Sequence, residues 1–451
     1  MPLSEFPAPA GETAGDEPPE IRVAPPGPLS RSALARLEQV ECPAFGQRRE
    51  ARAAQSGAEM LPIVLASAKG SNVVDVDGNR YVDLIAGFGA LILGHGAAPV
   101  LRALAGQADR LLQALGDVYS ADVKIALLER VAALHPGLRP RVLLGQSGSD
   151  AVTAALKTAR LATGKPGVVA FEGAYHGLGY GPLAACGVRP SYRLPFADQL
   201  NPRVTFAPYA HAEADVDRAL AAVERALRGG DVGAVLIEPI LGRGGCVVPP
   251  TAFLQAVNDA AHRHGALVIA DEIWTGMGRS GAMVRSTAVG APADILCFGK
   301  GLGGGLAISA CVAAEDVMMA WAGDTEVVHT STHAGSPLAC AAAIATLDAL
   351  RFRKLPARAR ELGETTRETL RAGLLGLPGV VDVRGEGLMI GIELDGGERA
   401  LRAMRAMMAR GYLVLTGGTR SETLTLTPPL TIREERLADA TTALCEVLAA
   451  P

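Results

Sequence analysis

The sequence predicts an α/β protein, with a large domain built on a mostly parallel sheet and a smaller α+β domain. The chain has 451 residues, more than one hydrophobic core usually accommodates. Between residues 100 and 320, short apolar segments alternate with Ala- and Leu-rich helical stretches. From about residue 379 this alternation is replaced by successive strand-like segments. We therefore expect two domains of different construction.

The N-terminal part divides at about residue 28. Residues 1–28 are rich in Pro, Gly, Ala and acidic side chains with little apolar periodicity, so we expect a disordered tail. The segment GSNVVDVDGNRYVDL has two alternating runs around Asp77-Gly78, which predicts a β-hairpin. Residues 29–99 are expected to contribute this hairpin to the small domain.

Residues 100–336 are expected to form the large domain. Apolar runs within it predict six buried strands, at residues 141–145, 167–171, 233–239, 266–272, 294–299 and 307–314. Polar residues cluster at the carboxyl ends of these runs, where open α/β sheets bind their ligands. An Ala-rich helix is predicted after Pro337, and residues 337–451 are assigned to the C-terminal small domain.

Composition excludes several classes of protein. A net charge of −4 and the lack of a Lys/Arg cluster exclude a typical nucleic-acid-binding surface. The seven cysteines show no metal-binding spacing and no disulfide framework, so we expect no metal and reduced, mostly buried thiols. The apolar stretch 84–94 is too short to cross a membrane, and the acidic, Pro-rich start is unlike a signal peptide. We expect a cytoplasmic protein without nucleic-acid or membrane partners.

Two residues suggest the chemistry. Asp271 ends one predicted strand, and Lys300, between Gly299 and Gly301, follows the next. Taken singly, Asp271 is equally well explained by a solvated acid at a strand end, and Lys300 is better explained by a solvated surface lysine. Together they match the needs of pyridoxal phosphate (PLP), which are an amine for its aldehyde and an anion for its pyridine nitrogen.

Further features fit a phosphorylated, flat cofactor. Ser147-Gly148-Ser149 follows a predicted strand and opens a helix, whose free N–H groups and positive dipole end suit a phosphate. An ordinary helix cap is the alternative. Tyr175 and His176 follow another strand, where an aromatic ring can either stack on a heterocycle or cover the core.

The order of these motifs resembles the class III PLP-dependent aminotransferases, the family of ornithine, 4-aminobutyrate and ω-amino-acid:pyruvate aminotransferases. The resemblance runs from about residue 60 to 433. It comprises, in order, DVDGNRYVDL, LGHG, SGSDAVTAALKTAR, YHG, IEPI, DEIWTGMGRSG, FGKGLGGG and THAGSPLACAAA. It implies PLP fold type I, PLP as the cofactor, and a homodimer with shared active sites.

The resemblance also implies roles for individual residues. Lys300 resembles the lysine that holds PLP as a Schiff base and moves the proton, and Asp271 resembles the partner of the pyridine nitrogen. The remaining cofactor contacts implied are the phosphate loop Ser147, Gly148 and Ser149, the stacking ring Tyr175 with His176 beside it, the EP-motif acid Glu238, and Thr332, which reaches the phosphate of the neighbouring subunit.

The chain departs from the family at its substrate pocket. The ornithine and 4-aminobutyrate members carry a gate Glu where this chain has Arg243, and an Arg where it has Thr425. We expect Phe88, Arg243, Trp274 and Thr425 to shape a changed pocket. One hypothesis is that Arg243 contacts a carboxylate or phosphate; the other is that it points to solvent.

Three functions are considered. The first is amino transfer from a primary amine, or an ω- or α-amino acid, to an oxo acid or other carbonyl acceptor. The second is a PLP-dependent isomerase, such as a racemase, epimerase or aminomutase, which has the same fold and lysine. The third, a dinucleotide-binding or scaffold protein, is disfavoured because GKGLGGG is not GxGxxG and does not open a clear helix.

Overall fold

The computed structural model describes residues 14–323 and 326–450 of the chain. The chain divides into two compact units. The central unit is Ala98–Arg360, and the terminal unit combines Met1–Ala97 with Glu361–Pro451.

The helices are given in chain order. They are α1 (Pro28–Leu37), α2 (Pro43–Ser56), α3 (Ala98–Ala108), α4 (Asp122–Ala132), α5 (Gly148–Thr163), α6 (Tyr180–Ala184), α7 (Val216–Leu227), α8 (Thr251–Arg263), α9 (Arg285–Ala288), α10 (Glu315–Met318), α11 (Pro337–Phe352), α12 (Leu355–Leu374), α13 (Gly397–Ala409) and α14 (Glu434–Ala449).

The strands are given in the same way. They are β1 (Leu65–Lys69), β2 (Asn72–Asp75), β3 (Arg80–Asp83), β4 (Arg141–Gly145), β5 (Gly167–Phe171), β6 (Val204–Ala207), β7 (Val232–Ile237), β8 (Leu267–Asp271), β9 (Ile295–Phe298), β10 (Ser309–Ala313), β11 (Val380–Glu386), β12 (Met389–Leu394), β13 (Tyr412–Leu413), β14 (Leu415–Gly417) and β15 (Thr423–Leu426).

The central unit contains a seven-stranded sheet in the order β4-β10-β9-β8-β7-β5-β6. Neighbours from β9 to β6 are parallel, whereas β10 runs antiparallel to both β4 and β9. The predicted mostly parallel sheet and its six predicted strands are thus confirmed. The sequence did not indicate β6, whose four residues include the exposed Thr205 and have only one fully buried side chain.

Helix α5 packs on this sheet through small side chains. Val152, Ala155 and Ala159 form a buried cluster with Leu236 and Ile269 from the strands. Small residues let the helix lie close to the strands, and close packing fixes its position. The beginning of α5 is thereby held beside the carboxyl end of β4.

The terminal unit contains two four-stranded sheets, ordered β1-β2-β3-β13 and β11-β12-β15-β14. The predicted hairpin is present as β2 and β3. At the turn of this hairpin, Asp75 accepts hydrogen bonds from the Asn79 backbone N–H and the Tyr81 hydroxyl, both at 2.8 Å. Strand β13 joins this sheet by pairing parallel with β3.

Residues 14–28 differ from the expected tail, while residues 1–13 lie outside the described part. The Arg22 backbone N–H donates to Asn79 Oδ1 at 2.8 Å, and Glu20 forms a β-bridge with Arg80. The Ser71 backbone N–H donates to the Gly15 carbonyl at 2.7 Å. Hydrogen bonds to the hairpin and to the residues around it order this segment. The composition of the segment alone does not reveal these bonds, because their partners lie elsewhere in the chain.

The boundary expected at Pro337 also differs. Helix α11 lies in the central unit, where it packs against α3 and α4. Its run from Ala339 to Ala343 is buried, so it needs neighbours on several sides. The central unit therefore extends to Arg360. Among residues 14–323 and 326–450, no helix combines the length and apolar character needed to span a membrane.

Candidate active site

The carboxyl ends of two neighbouring strands of the central unit carry the acid and the lysine. Asp271 is the last residue of β8 and pairs in register with Cys297 of the parallel strand β9. Lys300 follows the end of β9 and opens a short 3₁₀ helix, Lys300–Gly303. Both side chains therefore belong to the same edge of the sheet, as the sequence predicted.

Lys300 has an unusual backbone and an unusual environment. Its φ of 39° lies in the left-handed region, which costs a non-glycine residue about 1 kcal/mol or more. Its Nζ lies 4.5 Å from the centroid of the Trp274 ring. Burial lowers the pKa of Lys300, although the charges of Asp271 and Glu238 oppose this shift. A lowered pKa increases the fraction of neutral, nucleophilic amine.

Asp271 is held by two donors. Its Oδ2 lies 2.8 Å from Nδ1 of His176, and its Oδ1 accepts the Ile273 backbone N–H at 3.1 Å. Asp271 is 4% exposed and His176 is 2% exposed. Nε2 of His176 is buried and has no hydrogen-bond partner among the described residues. The carboxylate thus has a fixed orientation at the strand end.

Glu238 joins two loops of the site. Its Oε1 accepts the Tyr175 backbone N–H at 2.7 Å, and its Oε2 accepts the Gly242 backbone N–H at 2.9 Å. Burial raises the pKa of Glu238 to about 7, His176 opposes this, and the negative charge of Asp271 adds to it. Glu238 therefore fixes the loop after β5 to the loop after β7.

The residues predicted to bind a phosphate lie at the N-terminus of α5. Ser147 caps the helix, its Oγ accepting the Asp150 backbone N–H at 3.2 Å, while Asp150 accepts the Ser147 N–H at 3.0 Å. Ser149 Oγ accepts the Gly179 backbone N–H at 3.1 Å. The first N–H groups of a helix have no acceptor within it, so this end attracts a phosphate.

Ile273 brings the phosphate loop and the lysine loop together. A Cβ atom added at Gly148 would lie 2.7 Å from Ile273 Cδ1. One added at Gly299 would lie 3.3 Å from Ile273 Cγ2 and 3.6 Å from the Gly148 Cα. The two loops therefore lie close together and pack against the same Ile273 side chain. The sequence reasoning missed Ile273, whose only signal was its position between Asp271 and Trp274.

These residues fit PLP. A helix N-terminus for the phosphate, an oriented buried carboxylate for the pyridine nitrogen and a lysine with a lowered pKa all belong to one edge of the sheet. Tyr175 is partly buried against Leu183, Cys186 and Val188, and burial raises its pKa.

The other predicted residues are divided between the two units, with Arg243 and Thr332 in the central one. The Arg243 guanidinium carbon lies 5.1 Å from the centroid of the Tyr175 ring, so Arg243 does not simply point to solvent. Thr332 is exposed on the central unit, and its carbonyl accepts a hydrogen bond from Gln113 at 2.7 Å. In the terminal unit, Phe88 is 50% exposed and Thr425 is buried in β15.

Known proteins are similar to this chain over most of its length. The class-III aminotransferase family model matches residues 53–448. An acetylornithine aminotransferase from Methanothermobacter thermautotrophicus is 37% identical over 388 residues, which cover 86% of this chain and 94% of that protein. One from Mycobacterium tuberculosis is 39% identical over 391 residues, covering 86% and 92% respectively.

Solved structures of aminotransferases also align with this chain. The ornithine aminotransferase from Toxoplasma gondii aligns with a TM-score of 0.81 and 29% identity, covering 93% of this chain and 94% of that one. A PLP-bound amine transaminase from an uncultivated Pseudomonas species aligns with a TM-score of 0.79 and 30% identity, covering 86% and 95%.

Fold and relatives together define a PLP-dependent transaminase of fold type I. More particularly, the chain belongs to the class-III aminotransferase family. It moves an amino group from an amine or amino acid to an oxo acid or other carbonyl acceptor. These four relatives are all aminotransferases and give no support to the isomerase alternative.

Proposed function

We propose that Lys300 is the residue that binds the aldehyde of PLP and that Asp271 pairs with its protonated pyridine nitrogen. The observation that carries this proposal is the approach of Gly148 and Gly299 around Ile273, which brings the start of α5 next to the lysine loop. Ser147, Gly148 and Ser149 then hold the phosphate. Tyr175 stacks on the face of the PLP ring. His176 orients Asp271 through a hydrogen bond, and Glu238 holds the Tyr175 loop by accepting the Tyr175 backbone N–H.

When bound, PLP supplies an electron sink that stabilises negative charge on the substrate's reacting carbon. The protein contributes proton transfer and orientation. Because burial lowers the pKa of Lys300, its Nζ would take up the proton that leaves the substrate's reacting carbon and release it to the carbon that was the cofactor's aldehyde. Asp271, oriented by His176 and Ile273, keeps an anion beside the pyridine nitrogen. Trp274, whose ring lies beside Nζ, shields the lysine from water.

We further propose that the enzyme is a homodimer with shared active sites. An apolar segment of the central unit, residues 111–119, exposes Leu112 (60%), Leu115 (59%), Val118 (65%) and Tyr119 (71%). Gln113, within that segment, donates a hydrogen bond to the Thr332 carbonyl. The Thr332 loop, proposed to reach the cofactor phosphate in the second subunit, therefore borders the apolar segment, and a second copy of the chain would cover both.

A cytoplasmic location is proposed from the sequence features alone.

The experiment that tests the proposed reaction is a visible absorption spectrum of the purified, PLP-loaded protein. Amines and amino acids are added singly without an acceptor, and an oxo acid is added afterwards. We expect certain donors to convert the cofactor to its amino form and the oxo acid to restore the original band. Rearranged or racemised substrate without any need for an oxo acid would instead establish an isomerase. If no chromophore appears with added PLP, the proposed role of Lys300 is wrong.

A further inference from the structure

Arg243 is a cation that forms no ion pair with any carboxylate of residues 14–323 and 326–450. It follows β7 on the loop that Glu238 fixes, and its guanidinium lies over the Tyr175 ring at 5.1 Å. Its side chain is half-buried. Within the described ranges, 14–323 and 326–450, no carboxylate lies within salt-bridge distance of Arg243. A half-buried guanidinium with unused donors is an attractive site for an anion.

The two nearby acids are already engaged. Both oxygens of Glu238 accept backbone N–H groups, from Tyr175 and Gly242. Both oxygens of Asp271 are likewise used, by His176 and Ile273. Neither carboxylate turns to Arg243, so the positive charge is left for a ligand.

The position of Arg243 relates it to the reacting lysine. Its positive charge contributes to lowering the pKa of Lys300, so the two cations interact electrostatically. A Cβ added at the adjacent Gly242 would lie 2.4 Å from Cε3 of Trp274, whose ring is the one beside Lys300 Nζ. Gly242 thus packs directly on Trp274, and the arginine loop lies against the wall of the site.

We propose that Arg243 binds a carboxylate of the substrate, through the paired hydrogen bonds that a guanidinium forms with a carboxylate. The enzyme is thereby selective for donors and acceptors that carry a carboxylate in addition to the reacting amine or carbonyl. Simple alkylamines, which lack that group, are poor donors. This inference rests on the proposed function, because it needs Lys300 to be the reacting residue.

The test compares the PLP-loaded wild-type protein with Arg243→Gln, Arg243→Lys and the control Arg228→Gln, an exposed arginine after α7. The first readout is the dissociation constant of glutarate, an unreactive dicarboxylate, measured by calorimetry. We expect Arg243→Gln to weaken glutarate binding by roughly 10- to 100-fold, the usual effect of losing a charge-assisted pair of hydrogen bonds. Arg243→Lys retains the positive charge but cannot form the paired hydrogen bonds, so we expect a smaller loss of glutarate affinity. The control should leave the constant unchanged.

The second readout compares the Michaelis constants of two donors, butylamine and 4-aminobutanoate, which differ mainly in the carboxylate. In Arg243→Gln the Michaelis constant of the amino acid should rise by about the same factor as the glutarate constant, and far more than that of butylamine. Unchanged glutarate binding in both Arg243 variants would overturn the inference and leave Arg243 as a support for Tyr175. If Arg243→Gln fails to bind PLP, the glutarate dissociation constant of Arg243→Lys is compared with that of the wild-type protein instead, and an unchanged value overturns the inference. Failure of the proposed function can be told apart from failure of the Arg243 inference, because in the former case the wild-type protein would show no cofactor absorption band.

Discussion

His176 and Asp271 are joined by a hydrogen bond of 2.8 Å between Nδ1 and Oδ2, although they lie 95 positions apart in the chain. The bond connects the loop after β5 to the end of β8. Since an ionised carboxylate only accepts hydrogen bonds, Nδ1 is the donor in this contact. The histidine therefore orients the acid that is proposed to meet the pyridine nitrogen.

Replacing His176 by Phe should weaken cofactor binding and lower kcat. A hydrogen bond to a charged group contributes about 1.5–3 kcal/mol, which corresponds to a loss of roughly 10- to 100-fold. His176→Asn is the matched control, because the amide nitrogen of Asn can donate from nearly the position of Nδ1. PLP titration and steady-state kinetics measure both effects. Equal losses in the two variants would show that the imidazole acts through shape rather than through its bond to Asp271.

Adding a methyl group at Gly148 should impair the phosphate site. The new Cβ would lie 2.7 Å from Ile273 Cδ1, so Ile273 or the start of α5 must move. Overpacking of this kind costs about 1–3 kcal/mol, and we expect the PLP dissociation constant of Gly148→Ala to rise by roughly tenfold.

Gly106→Ala is the control for this change. Gly106 lies within α3, and nothing lies within 4 Å of an added Cβ. Helix propensity predicts equal or slightly greater stability and unchanged cofactor binding there. Equal PLP affinity in Gly148→Ala and Gly106→Ala would contradict the assignment of the phosphate loop.

Glu238 should give the cofactor-free protein a characteristic pH dependence. Burial raises its pKa from 4.5 to about 7 in the folded state. The stabilising contribution of the protonated group is therefore fully present below pH 4.5 and is lost as the pH rises through about 7. The total change is on the order of 3 kcal/mol. Glu238→Gln removes the titration, so its Tm should improve relative to wild type between pH 5 and pH 8.

Glu129→Gln, at an exposed position of α4, serves as the control for the pH series. Its Tm difference from wild type should stay constant over the same range. A constant difference for Glu238→Gln as well would mean that Glu238 remains ionised in the folded protein, fully compensated by the N–H groups of Tyr175 and Gly242.

A charge within the exposed apolar segment should dissociate the proposed dimer. Leu112 is 60% exposed, so Leu112→Glu should fold normally as a monomer. Leu138→Glu is the control, since Leu138 is 76% exposed outside that segment. Sedimentation gives the mass of each, and PLP titration shows whether loss of the partner weakens binding, as the proposed role of Thr332 requires. A wild-type monomer with full activity would refute the dimer proposal.

The sequence was most informative where burial is continuous. β7, with six buried residues, was predicted because a parallel strand covered on both faces is a plain apolar run. β6 and the two-residue β13 lack such a run, since neighbouring strands rather than their own pattern determine them. The order of residues 14–28 likewise depends on the side chains of Asn72 and Asn79, which lie far along the chain.

The site was predictable as a set of residues but not as a geometry. Asp271 and Lys300 were predicted because Asp271 ends one predicted strand and Lys300 follows the next. The bonds of Glu238 to Tyr175 and Gly242, and the packing of Gly148 and Gly299 on Ile273, join loops that are distant in sequence. Only the folded structure shows that Arg243 lies over Tyr175 rather than in solvent.

The most direct test of the central claim is to locate the lysine that binds PLP. The PLP-loaded protein is treated with borohydride, which makes the lysine–cofactor bond permanent, and is then digested and analysed by mass spectrometry. We predict that the cofactor's mass is found on Lys300 and that Lys300→Ala acquires no label, whereas Lys69→Ala, which removes an exposed lysine of β1, is labelled like wild type. Labelling of another lysine in the wild-type protein, or of none, would contradict the assignment of this site.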